Sequence, residues 1–348
     1  ARAGEYKSAP DDAGNPTSVS EEIEIRGRRA AVTGAGGFIG SAVCRALAEA
    51  GAAEVTGVEI SPALDERIRA AGAEPRVADI SDPDATVAAL EGAELVVHTA
   101  AYVREWGTMR EFIKVNVEGT AHVLDGAEAA GAERVVHLSS VVVYGYEDER
   151  EQDESAFHRA VGIPYIDTKS ASDRLAAHRG AVVVRPGDVY GPGSVPWVVR
   201  PAELLRSGRM ALPGRGDGTM LPAYIDDLVA AILAALRRGR PGRAYTVWDG
   251  VPIGFEEYFT RLAALSAGRP PRKLPKPLLH AIAGATEGIA RIRGVPPAFG
   301  RHGITFTDRR GTASNRRARE ELGWEPEVDL DQGLLRSAEW LRAERSST

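Results

Sequence analysis

The chain has 348 residues, 43% of them hydrophobic, and 43 Lys and Arg against 49 Asp and Glu give a formal net charge of -6. That length exceeds one average domain and suits a large α/β unit with an appended lobe. The acidic balance argues against a nucleic-acid backbone or an anionic membrane as main partner, since both reward a basic surface, and a small molecule is expected instead.

Residues 1–22 are rich in Gly, Pro, Ser and acids and hold no apolar signal-like core, so a disordered leader is expected over 1–24. From Arg28 short β-branched runs alternate with longer Ala- and Leu-rich stretches, the rhythm of repeated βα units around a parallel sheet. Strands are expected at 30–33, 54–59, 75–78, 95–98, 134–138 and 181–185, and helices at 38–50, 62–71, 83–90, 108–130 and 165–179. Together they predict an α/β fold, a Rossmann-type doubly wound parallel sheet over residues 25–190. After Arg185 Pro and Gly become frequent and the alternation breaks, which predicts a smaller, mainly helical substrate lobe over 191–345. A helix near Asp226 to Leu236 and a strand near Ala244 to Trp248 are expected to return to the first domain, within 223–250. The helical stretches 275–294 and 314–322 complete the lobe. Cys44 is the only cysteine and cannot form an internal disulfide, which points to a reduced, cytoplasmic setting. The seven histidines show no metal-ligand spacing, so no metal is expected. No apolar run approaches the roughly 20 residues a membrane span needs.

The segment Thr33-Gly34-Ala35-Gly36-Gly37-Phe38-Ile39-Gly40 places glycines directly after the first strand and at the start of a helix. Gly34 permits the tight turn, Gly37 lets backbone amides approach a pyrophosphate, and Gly40 lets the helix pack closely on the strand. The helix N-terminus adds its partial positive charge to that anion. Glu59 ends the second strand, where a carboxylate accepts hydrogen bonds from the adenosine ribose and repels a 2′-phosphate. No Arg or Lys follows Glu59 until Arg67, so NAD is expected rather than NADP. Asp79 and Ile80, after the third strand, stand where an adenine edge would be read.

Tyr165 and Lys169 stand four residues apart and project from one face of a helix. A nearby ammonium favours phenolate and is expected to lower the tyrosine pKa, fitting Tyr165 for proton exchange with a substrate hydroxyl. Ser140, at the end of the fifth strand, supplies a hydroxyl where open α/β sheets place ligands. The acidic run Glu147, Asp148, Glu149, Glu151, Asp153 and Glu154 reads as a solvated loop.

Taken together these residues resemble the extended short-chain dehydrogenase/reductase superfamily, also called the NAD-dependent epimerase/dehydratase group, from about Arg28 to Leu335. The likeness rests on the glycine loop, Asp79-Ile80, His98-Thr99-Ala100-Ala101, the segment Val115 to Thr120, Ser140, the Tyr165/Lys169 pair, Arg185-Pro186-Gly187, Tyr224 to Leu228, and Asn315 to Trp324. The resemblance implies that Tyr165 acts as general base, that Lys169 holds the nicotinamide ribose, and that Ser140 polarises the substrate oxygen. It further implies cofactor contacts at Phe38, Ile39, Thr99, Ala100 and Pro186, support from Asn116, and a homodimer paired through the helices at 108–130 and 165–179.

Within that group, sugar-nucleotide 4,6-dehydratases carry an Asp-Glu pair just after the catalytic hydroxyl, whereas this chain has Val141 and Val142. The arginine that clamps a nucleotide diphosphate in epimerases and dehydratases is replaced by Met220. His98 to Ala101 with Trp106-Gly107, and Leu221 to Ile225, are similar to the 3β-hydroxysteroid dehydrogenase branch. Trp197, Val198, Met220 and Leu221 suit an apolar alcohol or ketone. The expected function is NAD-dependent hydride transfer between a secondary alcohol and its ketone, a 3β-hydroxysteroid being one such substrate. A sugar-nucleotide 4-epimerase and a non-catalytic NAD-binding sensor or scaffold stand as alternatives.

Overall fold

Strand residues such as Val135-Val136 and Val182-Val183-Val184 lack the hydrophobic-polar alternation of a half-exposed strand, because a parallel sheet is covered on both faces. In the computed structural model, which describes residues 22–104, 106–146, 150–156, 160–295 and 300–346, seven strands form the central sheet. They are β1 (Arg29–Thr33), β2 (Glu54–Glu59), β3 (Glu74–Val77), β4 (Leu95–His98), β5 (Arg134–Leu138), β6 (Val182–Pro186) and β7 (Ala244–Val247). Their order is β7-β6-β5-β4-β1-β2-β3, and every neighbouring pair is parallel. The chain runs outward from β1 through β2 to β3, then crosses back to lay β4 on the other side of β1. A crevice opens at that reversal, beyond the carboxyl ends of β1 and β4, where such sheets hold ligands.

The intervening helices are α1 (Phe38–Glu49), α2 (Asp65–Ala70), α3 (Pro83–Ala89), α4 (Met109–Ile113), α5 (Gly119–Ala129) and α6 (Pro164–His178). The single helix expected over 108–130 is interrupted by a π-helical turn at Lys114–Glu118. Gly119, just beyond that turn, lies so close to Ile80 that a Cβ would stand 2.9 Å from its Cδ1. The helix expected over 62–71 starts as a 3-10 turn at Pro62–Leu64 before α2.

After β6 come α7 (Arg200–Arg206), α8 (Ile225–Arg238), α9 (Phe255–Leu265), α10 (Lys276–Arg293), α11 (Arg301–Thr307), α12 (Arg316–Leu322) and α13 (Leu330–Ser346). Helix α8 buries Leu228, Ala231, Ile232 and Leu236 in the core shared with α1, and β7 follows it into the sheet beside β6. The carboxylate of Asp227 on α8 accepts from the backbone N–H groups of Glu327 and Val328 at 3.0 and 3.1 Å, while Trp324 Nε1 donates to the Asp227 carbonyl at 2.9 Å.

Two expectations change. The disorder expected over 1–24 does not extend to Ile23, which is buried in the core and whose N–H donates to the Arg237 carbonyl at 2.9 Å; residues 1–21 lie outside the described residues. Glu154 is no solvated loop residue: its side chain is buried, Oε1 accepts from Thr246 N at 2.8 Å, and Arg317 Nε stands 3.5 Å from Oε2. Glu147, Asp148 and Glu149 lie outside the described residues. No helix among the described residues is long and apolar enough to cross a membrane.

Candidate functional site

The turn from β1 into α1 is built from bare backbone. Gly34 has φ 71°, and a Cβ on it would stand 2.8 Å from the Ala100 backbone nitrogen. A Cβ on Gly40 would collide with the Gly34 carbonyl, and Gly37 occupies the N-cap of the twelve-residue α1. Glu59 closes the turn from the side: its Oε2 accepts from Gly36 N at 3.1 Å and its Oε1 from Ile60 N at 2.9 Å. Phe38 and Ile39 open α1 half-buried. Across β4, Thr99 Oγ1 donates to the Thr33 carbonyl at 2.7 Å, and Ala100 N donates to Thr33 Oγ1 at 3.4 Å. Asp79 Oδ1 accepts from Ser81 N at 2.9 Å, Ile80 is buried, and Pro186 ends β6 beside Val247. A cradle with no room for Cβ atoms, a helix N-terminus and a carboxylate at the end of β2 fit the pyrophosphate and ribose of NAD. Arg67 returns to the edge of this region, where Nη2 donates to Ser41 Oγ at 3.3 Å.

Ser140 follows β5, and its Oγ accepts from Val142 N at 3.3 Å, capping the 3-10 turn Val141–Tyr144. Pro164 sets the first turn of α6, which brings the Tyr165 hydroxyl close to Ser140. Lys169 lies one turn on, buried, with Nζ donating to the Leu138 carbonyl at 2.7 Å. The three groups named from the sequence therefore gather at the carboxyl end of β5.

The electrostatics differ from expectation. Desolvation pushes the Tyr165 phenol up to about 12, with the Asp188 charge adding to the rise and the Ser140 hydrogen bond opposing it. The expected lowering by Lys169 does not occur, because that ammonium is directed at the Leu138 carbonyl. Burial holds Lys169 itself down to about 8, against the opposing pull of Asp173. Tyr165 is accordingly a phenol at neutral pH.

Behind these groups lies a polar chain through Asn116, Thr120 and His98 whose pairings no local pattern announces. Asn116, in the π-helical turn, accepts from Tyr102 N at 2.7 Å and donates to Thr168 Oγ1 on α6 at 3.1 Å. His98 is buried between Thr33 Oγ1, 2.7 Å from Nδ1, and Thr120 Oγ1, 3.0 Å from Nε2. Thr120 donates its own proton to the Asn116 carbonyl at 2.7 Å, which assigns the ring hydrogen of His98 to Nε2. Burial, then the Lys169 charge, holds His98 down to about 3, so the ring is neutral. The His137 ring lies tilted beside that of His98, with centroids 5.1 Å apart, and among the described residues neither of its ring nitrogens has a hydrogen-bond partner.

On the lobe side, Val141, Val142, Tyr146, Leu221 and Arg309 line a narrow cleft at the turn that follows Ser140. Tyr146 sits edge-on to Phe306 of α11, with ring centroids 5.5 Å apart, and Trp197 stacks on Phe255 at 5.9 Å. Of the four apolar residues read as substrate wall, Leu221 lines this cleft and Trp197 belongs to the aromatic cluster. Val198 and Met220 are fully buried in the main core. Sequence reading missed Asp188, Tyr146 and Arg309; Asp188 and Arg309 form a buried ion pair across 121 positions, and nothing local marks it.

A family model described as "NAD dependent epimerase/dehydratase family" matches residues 30–248. The chain is 30% identical over 326 residues to a 2-alkyl-3-oxoalkanoate reductase of Stenotrophomonas maltophilia (strain K279a), covering 88% of this chain and 97% of that one. It is 32% identical over 337 residues to a dTDP-glucose 4,6-dehydratase of Streptomyces griseus, covering 90% and 94%. Among solved structures it is similar to the Streptomyces venezuelae dTDP-glucose 4,6-dehydratase DesIV with NAD and TYD bound, at TM-score 0.76 and 26% identity, covering 92% of this chain and 98% of that one.

Proposed function

Because the chain belongs to the NAD-dependent epimerase/dehydratase family, we propose that it is an NAD-dependent reductase interconverting an apolar ketone and its secondary alcohol, with Ser140, Tyr165 and Lys169 as catalytic set. One observation carries this reading: the Tyr165 hydroxyl and Ser140 come together at the end of β5, and Val141 and Val142 follow there rather than acids. When bound, NADH supplies the hydride that adds to the carbonyl carbon. Ser140 donates a hydrogen bond to the carbonyl oxygen, Tyr165 delivers its proton to that oxygen as the C=O bond becomes C–OH, and Lys169 keeps positive charge beside the ribose site. In reduction Tyr165 gives up its proton, the same step in reverse as the base role implied by the resemblance.

The two sequence relatives divide between ketone reduction and sugar-nucleotide dehydration. Elimination needs an acid beside the leaving hydroxyl, and Val141 and Val142 offer none. A diphosphate needs a cation at the Met220 slot, and that thioether is buried in the core. These residues favour the reductase reading, with 3-oxoacyl compounds and 3-ketosteroids as substrates to assay. The cofactor contacts proposed are Gly34, Gly37, Phe38, Ile39, Gly40, Glu59, Asp79, Ile80, Thr99, Ala100, Asn116 and Pro186 besides Tyr165 and Lys169. The reading includes a homodimer working in the cytoplasm; a single-chain mass in sedimentation at assay concentration would count against the dimer. The deciding assay incubates purified protein with NADH and a panel of ketones, or with NAD and UDP-sugars. Ketone-dependent NADH consumption is expected; a new sugar epimer without net change in NADH overturns the proposal.

A further inference from the structure

We propose that Arg309, held by Asp188, forms a subsite that receives a second, uncharged oxygen of the substrate, an ester, thioester, ketone or hydroxyl oxygen near the reacting carbonyl. This deepens the ketone-reductase reading and rests on it.

Arg309 lies just past the end of α11 and is only 6% exposed. Its guanidinium stands 4.1 Å from the Phe306 ring centroid, which fixes its plane. Two edges of the fork are used: Nε donates to the Thr219 carbonyl at 3.1 Å, and Nη2 pairs with Asp188 Oδ2. The third is not, since among the described residues the buried Nη1 has no hydrogen-bond partner. An unmet N–H in a buried guanidinium is costly, and one on a residue that lines a cleft is answered at low cost by an acceptor that enters it. Arg309 lines the same cleft as Val141 and Val142, the two residues after Ser140, and as Leu221 and Tyr146. The charge of Asp188 also acts on the Tyr165 phenol and adds to the rise in its pKa.

Charge matching selects the class of ligand. Asp188 Oδ2 also accepts from Leu221 N at 2.9 Å, and the pair is neutral as it stands. A substrate carboxylate or phosphate at Nη1 would leave net negative charge among Val141, Leu221 and Phe306, where burying charge is unfavourable. An uncharged oxygen accepts the Nη1 hydrogen with no such cost. The subsite thereby separates 3-oxo esters and thioesters from 3-oxo acids and sugar diphosphates, the specificity of a difference rather than of one contact.

The test compares a 3-oxo ester, the matched 3-oxo acid and a simple ketone of equal length in NADH-consumption assays with the wild-type chain. The ester is expected to show a KM about tenfold below both others, the effect of one buried hydrogen bond to a charged donor. Asp188→Asn keeps an acceptor for Leu221 N and leaves the arginine charge unmatched, so preference should shift toward the acid by about tenfold. Arg309→Lys should raise KM for the ester about tenfold more than for the simple ketone. Equal KM values for ester and simple ketone, or an acid preferred by the wild type, overturn the subsite while leaving the reductase reading intact. If no ketone is reduced, the reductase reading falls, and thermal shift of the NAD-loaded protein by a 3-hydroxy ester against its acid still decides the subsite. Greater stabilisation by the ester supports it, and equal or smaller stabilisation overturns it.

Discussion

Tyr165 shows how little a four-residue spacing says about a proton. The spacing places its phenol and the Lys169 ammonium on one face of α6, yet Lys169 turns to the Leu138 carbonyl and desolvation governs the phenol instead. Replacing Tyr165 by Phe removes the proton donor and leaves the packing, so turnover should drop by about 100-fold or more while NADH binding, followed by fluorescence titration, is retained. Unchanged turnover would sink the mechanism. Lys169 brings a pH dependence with a definite sign. Its folded value of about 8 lies below its ordinary value, so the ammonium is complete below pH 8 and lost above it. The reduction rate is expected to fall as pH rises through about 8. Stability runs the other way: between about 8 and the ordinary lysine value the unfolded chain holds this proton more tightly, and the group's contribution to folding rises with pH. A rate that climbed through pH 8 would show that the ammonium is not needed.

At the scale of elements, the β1–α1 turn works because strand and helix approach backbone to backbone. Gly40→Ala should destabilise by about 1–3 kcal/mol in denaturant melts and weaken NAD binding, since the added methyl strikes the Gly34 carbonyl and α1 must shift. The π-helical turn before α5 was not legible: its five residues, Lys114–Glu118, follow ordinary helical periodicity. What decides it is Asn116, held from both sides by Tyr102 and Thr168, and Thr168 belongs to another helix. The segment after β7 holds another group shaped by packing. Asp249, half-buried beside Tyr190 and Tyr224, accepts from Tyr224 N at 3.0 Å, and desolvation raises its carboxyl to about 7. A raised carboxylate costs stability as pH climbs from the ordinary Asp range through 7, because the unfolded chain ionises first. Asp249→Asn keeps the acceptor and should raise the melting temperature at pH 8 but not at pH 5; a loss at both would show that the carboxylate itself is needed.

The whole molecule is closed by returns of the chain that depend on few groups. Asp227 on α8 takes two backbone N–H groups from a segment 100 and 101 positions away, pinning the approach to α13 against the sheet-covering helix. Asp227→Ala strands both donors and should cost about 2 kcal/mol or more in urea melts, with the far-ultraviolet spectrum preserved; a change within error would show that water replaces the carboxylate. The sequence by itself determined the βα rhythm, the glycine turn, Glu59 at the end of β2 and the helix that carries Tyr165 and Lys169. These are local properties: periodicity reports which face is covered, and a glycine reports where backbone must come close. Only the tertiary structure decided that Lys169 serves Leu138, that Asn116 meets Thr168, and that Arg309 finds Asp188. Each of those pairings joins positions brought together by the order in which strands and helices assemble, and the cost of burying an unpaired polar group is then met by whichever partner the assembly supplies.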